Sequence, residues 1–376
     1  MKYYLIAGER SGDLHGSHLI KELKLQDASA EIRCWGGDLM ERAGGSLVVH
    51  YKDLSFMGFW EVFTNLLTIK KYLDYCKKDL LEYQPDVVVL IDYPGFNLRI
   101  AEFAHKSQLK VCYFISPKLW AWNRKRAAKI KRHVDRMYAI LPFEKQFYQQ
   151  YEYQVNYVGN PLVDTINNFQ TPPDFIHTLQ TGARPVIAVL PGSRRQEIKH
   201  MLEVMLALVP DFPQYKFVVA AVDNIPADFY RNAHRLNDVT IVTNKAYELL
   251  SVASVAVVTS GTASLETALF DVPQVVCYKT SWLTYWIGRV LIKVPYLSLV
   301  NLIARKMVVP ELIQNEFRKE KITKHLKELL EESESLKSQQ AGYRKVRIML
   351  GNKKASQETA RLIVDFLQST KQPSTY

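Results

Sequence analysis

The chain has 376 residues, 48% hydrophobic and 23% charged, and 49 Lys and Arg against 38 Asp and Glu give a formal charge of +11. That balance excludes a disordered chain, and 16 Gly and 16 Pro with no sustained heptad exclude collagen-like, low-complexity and coiled-coil architectures. The length suits two domains with a core each, and the charge points to an anionic partner without choosing among nucleic acid, anionic lipid and phosphorylated metabolites.

The opening MKYYLIAGERSGD is too short in its apolar part for a signal peptide. No 18-residue stretch is apolar and free of charge, so a spanning helix is not expected. Cys34, Cys76, Cys112 and Cys277 show no metal-binding spacing and read as buried free thiols in a reducing, cytoplasmic setting.

In chain order, short runs rich in β-branched and aromatic residues predict strands at 3–7, 87–91, 111–115, 138–141, 186–190, 217–222, 239–242, 255–258 and 275–278. Each is continuously apolar, as suits parallel strands covered on both faces. Helical periodicity between them, as at 17–23 and 197–208, makes a doubly wound α/β architecture the expectation. Turn residues gather from Gly159 to Pro185 and read as the connection between two Rossmann-like halves, with a ligand cleft between them. The expected domains are 1–165 and 183–345, followed by 346–376 with a last amphipathic helix that Ser356 caps.

The first strand runs into Gly8-Glu9-Arg10-Ser11-Gly12-Asp13, a strand-to-helix turn that fits neither GxGxxG nor Walker A. Glu9, Ser11 and Asp13 at a strand's carboxyl end read as site residues; the plain alternative is a turn with Asp13 near the helix start. His15 and His18 lack a third ligand and read as surface residues. Residues 56–67, FMGFWEVFTNLL, suit a core helix or an interfacial element touching a bilayer or acyl chain, and the net charge tips the reading to the membrane. Strand 87–91 ends on Asp92, and Pro94 and Gly95 break the element there. Asp92 is therefore either a turn or cap residue or a carboxylate that takes a proton from a sugar hydroxyl. Ile115-Ser116-Pro117-Lys118-Leu119-Trp120-Ala121-Trp122 reads as an aromatic wall for sugar or lipid, a nucleic-acid contact, or a packed corner beside a solvated basic helix.

In the second half, Gly192-Ser193-Arg194 and Ser260-Gly261-Thr262 both follow a strand and open a helix. Free N–H groups there suit a diphosphate, Arg194 adds charge, and Glu266 lies far enough into its helix to reach a ribose. No DxD occurs, which argues for phosphate neutralisation by protein groups without metal; GxSxG and HExxH are absent too. A second greasy stretch, 282–303, is broken by Arg289, Lys293 and Pro295 and reads as a core helix.

In this order, AGERSGD, WGGDLM, FMGFWEV, IDYPGFN, ISPKLWAW, LPFE, LPGSRRQEI, TSGTASLE and NLIARKMVVPELIQ resemble the motifs of lipid-A-disaccharide synthases, from Tyr3 to Gln314. The resemblance implies a GT-B glycosyltransferase whose last helices return to the first domain. It implies inverting transfer of 2,3-diacylglucosamine from UDP to 2,3-diacylglucosamine 1-phosphate, with no cofactor. Peripheral contact with the cytoplasmic face of the inner membrane goes with it, and no nucleic acid does. By motif, Asp92 matches the family's essential aspartate as base, and Glu9 stands by the acceptor or assists, with Ser11 and Asp13 beside it. Gly192, Ser193, Arg194, Ser260, Gly261 and Thr262 match the diphosphate site, Glu266 the ribose contact, and Asn301 and Gln314 polar positions near the nucleotide. Phe56, Met57, Phe59, Trp60, Phe63, Leu66 and Leu67 resemble the acceptor and membrane region. Gly95 stands where Asp is common, and Arg305 where Gly is usual. The rival readings are a UDP-sugar 2-epimerase, another lipid-linked sugar transferase, and a non-enzymatic binder of phospholipid headgroups.

Overall fold

The computed structural model describes residues 1–54, 66–122, 126–179, 181–182, 184–234, 238–282, 285–286, 289 and 294–371. The chain forms two compact units, Met1–Pro161 with Asn352–Tyr376, and Leu162–Gly351. In the first, seven parallel strands stand in the order β3-β2-β1-β4-β5-β6-β7. They are β1 Lys2–Ala7, β2 Glu31–Gly36, β3 Ser46–His50, β4 Val87–Ile91, β5 Val111–Phe114, β6 Arg136–Ala139 and β7 Asn156–Tyr157. In the second, six parallel strands stand in the order β10-β9-β8-β11-β12-β13. These are β8 Val186–Leu190, β9 Lys216–Ala221, β10 Val239–Thr243, β11 Ala253–Thr259, β12 Gln274–Tyr278 and β13 Glu311–Ile313.

The central strands are those that were continuously apolar, and β4 and β8 are buried at every residue. Each fully buried Val, Leu or Ile side chain is worth roughly 1.5–3 kcal/mol. Strand order reverses between β1 and β4 and between β8 and β11. Each unit therefore has a topological switch point there, outside the strand carboxyl ends.

Four strands were not predicted. In β2 the charge of Arg33 interrupts the apolar run, and Arg33 is neutralised by donating to Asp79 through Nε at 2.9 Å and Nη2 at 2.6 Å. The edge strand β3 is only half-buried, and β7 and β13 span two and three residues. The first helix runs Arg10–Gln26, so it takes in the periodic stretch 17–23 and begins within the turn itself, ahead of Asp13. Gly12 allows this, because its Cβ position lies 3.0 Å from the Ala7 Cβ.

The unit boundaries differ from the expected ones. Phe175 and Leu179 enter a core with Val186 and Leu249, so the turn-rich stretch from 162 belongs to the second unit. Helix Glu334–Leu350 passes through 346 without a break and stops at Gly351, whose φ is 66°. The returning segment therefore begins at Asn352. Its helix, Ala355–Lys371, starts one residue before Ser356, which is not its cap. Ile363 and Leu367 join Leu19, Ile20 and Leu23 of helix Arg10–Gln26 in the first core. Arg305 is left-handed, with φ 55°, at the end of helix Leu299–Ala304, a conformation that glycine adopts without cost. All four cysteines are free and buried. Among the described residues no helix is long and apolar enough to cross a membrane.

Candidate active site

In the first unit the loops after β1 and β4 meet, because Ala7 and Ile91 are paired in register at the switch point. The chain leaves β1 through Gly8, and Glu9 stands exposed at the cap position of helix Arg10–Gln26. The Asp92 N–H still donates to the Phe114 carbonyl at 3.1 Å, as the ladder would require. Asp92 and Tyr93 then turn left-handed, with φ 46° and 50°, and Pro94 opens helix Pro94–Lys106.

Asp92 is half-buried, and burial pushes its carboxyl up to about 6. Lys118 draws it down, Glu9 pushes it up, and the Tyr93 N–H draws it down again. A carboxylate tuned so close to neutrality is suited to accept a proton near pH 7. Lys118 and Tyr93, which sequence reasoning gave no role, thus belong to the surroundings of Asp92.

Ser11 is exposed in the first helical turn. Asp13, expected beside it at the acceptor, is instead a buried anchor. Its Oδ1 accepts from Gly37 N at 2.8 Å and Met40 N at 3.0 Å, and its Oδ2 from Leu39 N at 3.2 Å. Both oxygens are committed to the start of helix Asp38–Arg42. His15, expected at the surface, is partly enclosed, and burial beside His18 pushes it down to about 4.

The aromatic run after β5 settles as a packed corner at Trp120. That ring is buried, edge-on to Phe143 at 4.9 Å, and its Nε1 donates to Glu144 Oε1 at 3.2 Å. Glu144 also accepts from Leu141 N at 3.0 Å, and burial pushes its carboxyl up to about 7. The LPFE motif thereby holds the loop that carries Lys118. Phe56, Met57, Phe59, Trp60 and Phe63 lie outside the described residues, as does the side chain of Leu66; Leu67 is exposed.

In the second unit the two small-residue turns follow β8 and β11, whose ends pair at Leu190 and Val258. Gly192 has φ 109°, and a Cβ there would lie 2.5 Å from Glu197 Oε2. The N–H groups expected to be free are occupied by that carboxylate: Ser193 N donates to Oε2 at 3.1 Å and Arg194 N at 3.3 Å. The Arg194 side chain is 82% exposed and reaches Glu197 Oε1 at 3.4 Å. Glutamate three residues past a helix cap is the sequence signal for this.

Ser260 donates to the Leu297 carbonyl at 3.2 Å, Gly261 has φ 151° with open space about its Cβ position, and Thr262 is exposed at the start of helix Thr262–Leu269. Glu266, one turn on, accepts from the Tyr247 hydroxyl at 3.2 Å, and burial raises its carboxyl above the usual range. Thr259 Oγ1 is buried without a partner among the described residues.

Asn301 and Gln314, expected near the nucleotide, are structural staples. Asn301 is wholly buried; its Oδ1 accepts from Val308 N and Val309 N, and its Nδ2 donates to the Val309 carbonyl and Glu311 Oε1. Gln314 accepts from Thr280 N at 2.8 Å and donates to the Thr280 carbonyl at 3.1 Å. Among the described residues no group of three or more His, Cys, Asp and Glu is placed to hold a metal ion.

A family model described as lipid-A-disaccharide synthetase matches residues 3–364. The chain belongs to the lipid-A-disaccharide synthase family. The lipid-A-disaccharide synthase of Geobacter metallireducens is 35% identical over 370 residues, 96% of each chain. Lipid-A-disaccharide synthase 1 of Legionella pneumophila (strain Lens) is 38% identical over 324 residues, 82% of this chain and 83% of that one. A solved structure of UDP-GlcNAc 2-epimerase from Neisseria meningitidis, bound to UDP-GlcNAc, superposes with TM-score 0.68 at 14% identity, covering 98% of this chain and 100% of that one. The glycotransferase of kitacinnamycin gives 0.67 at 14% identity over 97% and 99%. Likeness at that identity shows the fold alone. As a lipid-A-disaccharide synthase family member the chain is a glycosyltransferase of the GT-B fold, and the epimerase reading gains nothing from shared architecture.

Proposed function

We propose that the chain transfers 2,3-diacylglucosamine from UDP-2,3-diacylglucosamine to 2,3-diacylglucosamine 1-phosphate, giving the β-1,6-linked disaccharide 1-phosphate and UDP. Asp92 takes the proton from the acceptor 6-hydroxyl as that oxygen bonds to the anomeric carbon from the face opposite UDP. The bond from the anomeric carbon to the diphosphate breaks with its electron pair on UDP, so the configuration inverts. Glu9 keeps the Asp92 carboxylate basic and lies beside the acceptor with Ser11. The exposed Arg194 side chain and the N–H groups of Gly261 and Thr262 stabilise the charge on the departing diphosphate, and Glu266 accepts from the ribose.

The observation that carries this reading is Asp92 at the switch point of the first sheet, half-buried and pushed up to about 6. Under the same reading the first unit holds the acceptor and the second the UDP-sugar. Residues 56–67 touch the cytoplasmic face of the inner membrane, a role supported by Leu67, 84% exposed where helix Leu66–Tyr83 begins. The test incubates the purified chain with both diacylated substrates, with and without a chelator, and follows UDP and disaccharide. Disaccharide formation in both arms is expected. UDP release without disaccharide would overturn the assignment of the acceptor.

A further inference from the structure

Asp92 and Tyr93 are consecutive left-handed residues that are not glycine, and the second precedes a proline. Left-handed backbone is costly for L-residues, and proline restricts the residue before it further. Such a pair persists only where its surroundings over-determine it. Here two donors converge on one atom, the Asp92 carbonyl oxygen: Asn97 Nδ2 at 2.7 Å and the Tyr113 hydroxyl at 2.5 Å.

Neither donor faces solvent. Asn97 is wholly buried in the first turn of helix Pro94–Lys106, and its Nδ2 also lies 3.2 Å from the Ile91 carbonyl and 3.4 Å from that of Ile6. It therefore ties the end of β4 to the end of β1, the two strands that flank the switch point. Its backbone N–H donates to the Tyr93 carbonyl at 3.1 Å, which closes the other side of the turn. Tyr113 stands fully buried on β5, and burial raises its phenol well above the ordinary value, so the hydroxyl remains a donor at working pH.

We propose that Tyr113 and Asn97 are positioning residues for the base: by holding the Asp92 carbonyl they fix the left-handed pair, and with it the direction of the Asp92 carboxylate. The proposal rests on the reading of Asp92 as base. Without the clamp the turn relaxes toward ordinary backbone and the carboxylate swings off the acceptor hydroxyl. A displacement of about 1 Å is worth on the order of a hundredfold in rate.

Tyr113→Phe removes the donor and keeps the ring. Its kcat is expected to fall by about ten- to a hundredfold, with KM for the UDP-sugar within about twofold. The acid limb of its pH–rate profile should move to lower pH as the carboxylate gains solvent. Asn97→Ala should give the same signature, more strongly. UDP binding and melting are measured on the same preparations, and Asp92→Asn is run in parallel. Parental kcat and an unmoved acid limb in both variants, with Asp92→Asn inactive, overturn the clamp. Loss of UDP binding together with turnover also counts against it, since that is the mark of a folding role. Near-parental turnover by Asp92→Asn would instead overturn the reading of the base.

Discussion

The Tyr93 ring fills the space that a side chain on Gly8 would need: a Cβ at position 8 would lie 2.2 Å from Tyr93 Cδ1 and 2.5 Å from Cγ. The turn after β1 is thus seated on the turn after β4, which brings Glu9 within electrostatic reach of Asp92. Gly8→Ala must push the ring aside at its root, where it cannot yield by a rotamer change alone. Turnover is expected to fall at least tenfold while UDP affinity stays within about twofold, read from steady-state kinetics and calorimetry.

Turnover should follow the ionisation of Asp92. It is expected to rise with pH up to about 6 and to level off above, because only the ionised carboxylate accepts the proton. Glu9→Gln removes a like charge and should move this acid limb to lower pH. Lys118→Met removes the neighbouring cation and should move it to higher pH. The same shift acts on stability. Asp92 is raised from 3.8, so the folded state binds its proton more tightly. That contribution is full below about 4 and lost as pH rises through about 6. Asp92→Asn should therefore melt higher than the parent at pH 8, and an unchanged or lower melting temperature would contradict the burial argument.

Asp13 and Asn301 are expected to matter for folding rather than for substrate. Asp13→Ala strands three backbone N–H groups, and Asn301→Ala strands two N–H groups and removes the donor to the Val309 carbonyl and to Glu311 Oε1. Each should cost about 2–4 kcal/mol in denaturant unfolding. The fraction that remains folded should bind UDP as the parent does.

These two residues also show where sequence reading stops. The nine strands predicted lie within about two residues of strands in the structure, because parallel strands buried on both faces carry their signal in every position. The switch-point loops were legible for the same reason, since strand order places them once the strands are known. A polar side chain, however, shows its chemistry in sequence and not what it faces. Asp13 and Gln314 have the residue types of a ligand site and spend them on backbone, and Asn301 spends its amide on backbone and on Glu311. Tyr113 left no local mark at all, for its hydroxyl meets Asp92 only through the pairing of β4 with β5.

Arg194 and Glu197 should act in opposite directions on the nucleotide. Arg194→Ala is expected to weaken UDP binding about tenfold by calorimetry, with little effect on melting, because the side chain is exposed. Glu197→Gln withdraws the negative charge that sits on the Ser193 and Arg194 N–H groups. It should tighten UDP binding severalfold, and weaker binding would mean that this turn does not receive the diphosphate.

Gly95 is the second residue of helix Pro94–Lys106, and nothing lies within 4 Å of its Cβ position. Gly95→Asp should stabilise the first unit by about 0.5–1 kcal/mol through the helix dipole. It should also move the acid limb to higher pH, since it sets a carboxylate near Asp92.

The helix Ala355–Lys371 completes the core built around β1, so the first unit is assembled from segments on both sides of the second. On the ribosome, the stretch bearing Asp92 emerges before the second unit and must wait until that unit has been made before its interior can close. The second unit, continuous from Leu162 to Gly351, can finish first. Nascent chains halted before Asn352 should therefore expose the apolar flank of helix Arg10–Gln26 to chaperones. The unit assigned to the nucleotide then matures ahead of the one that carries the base.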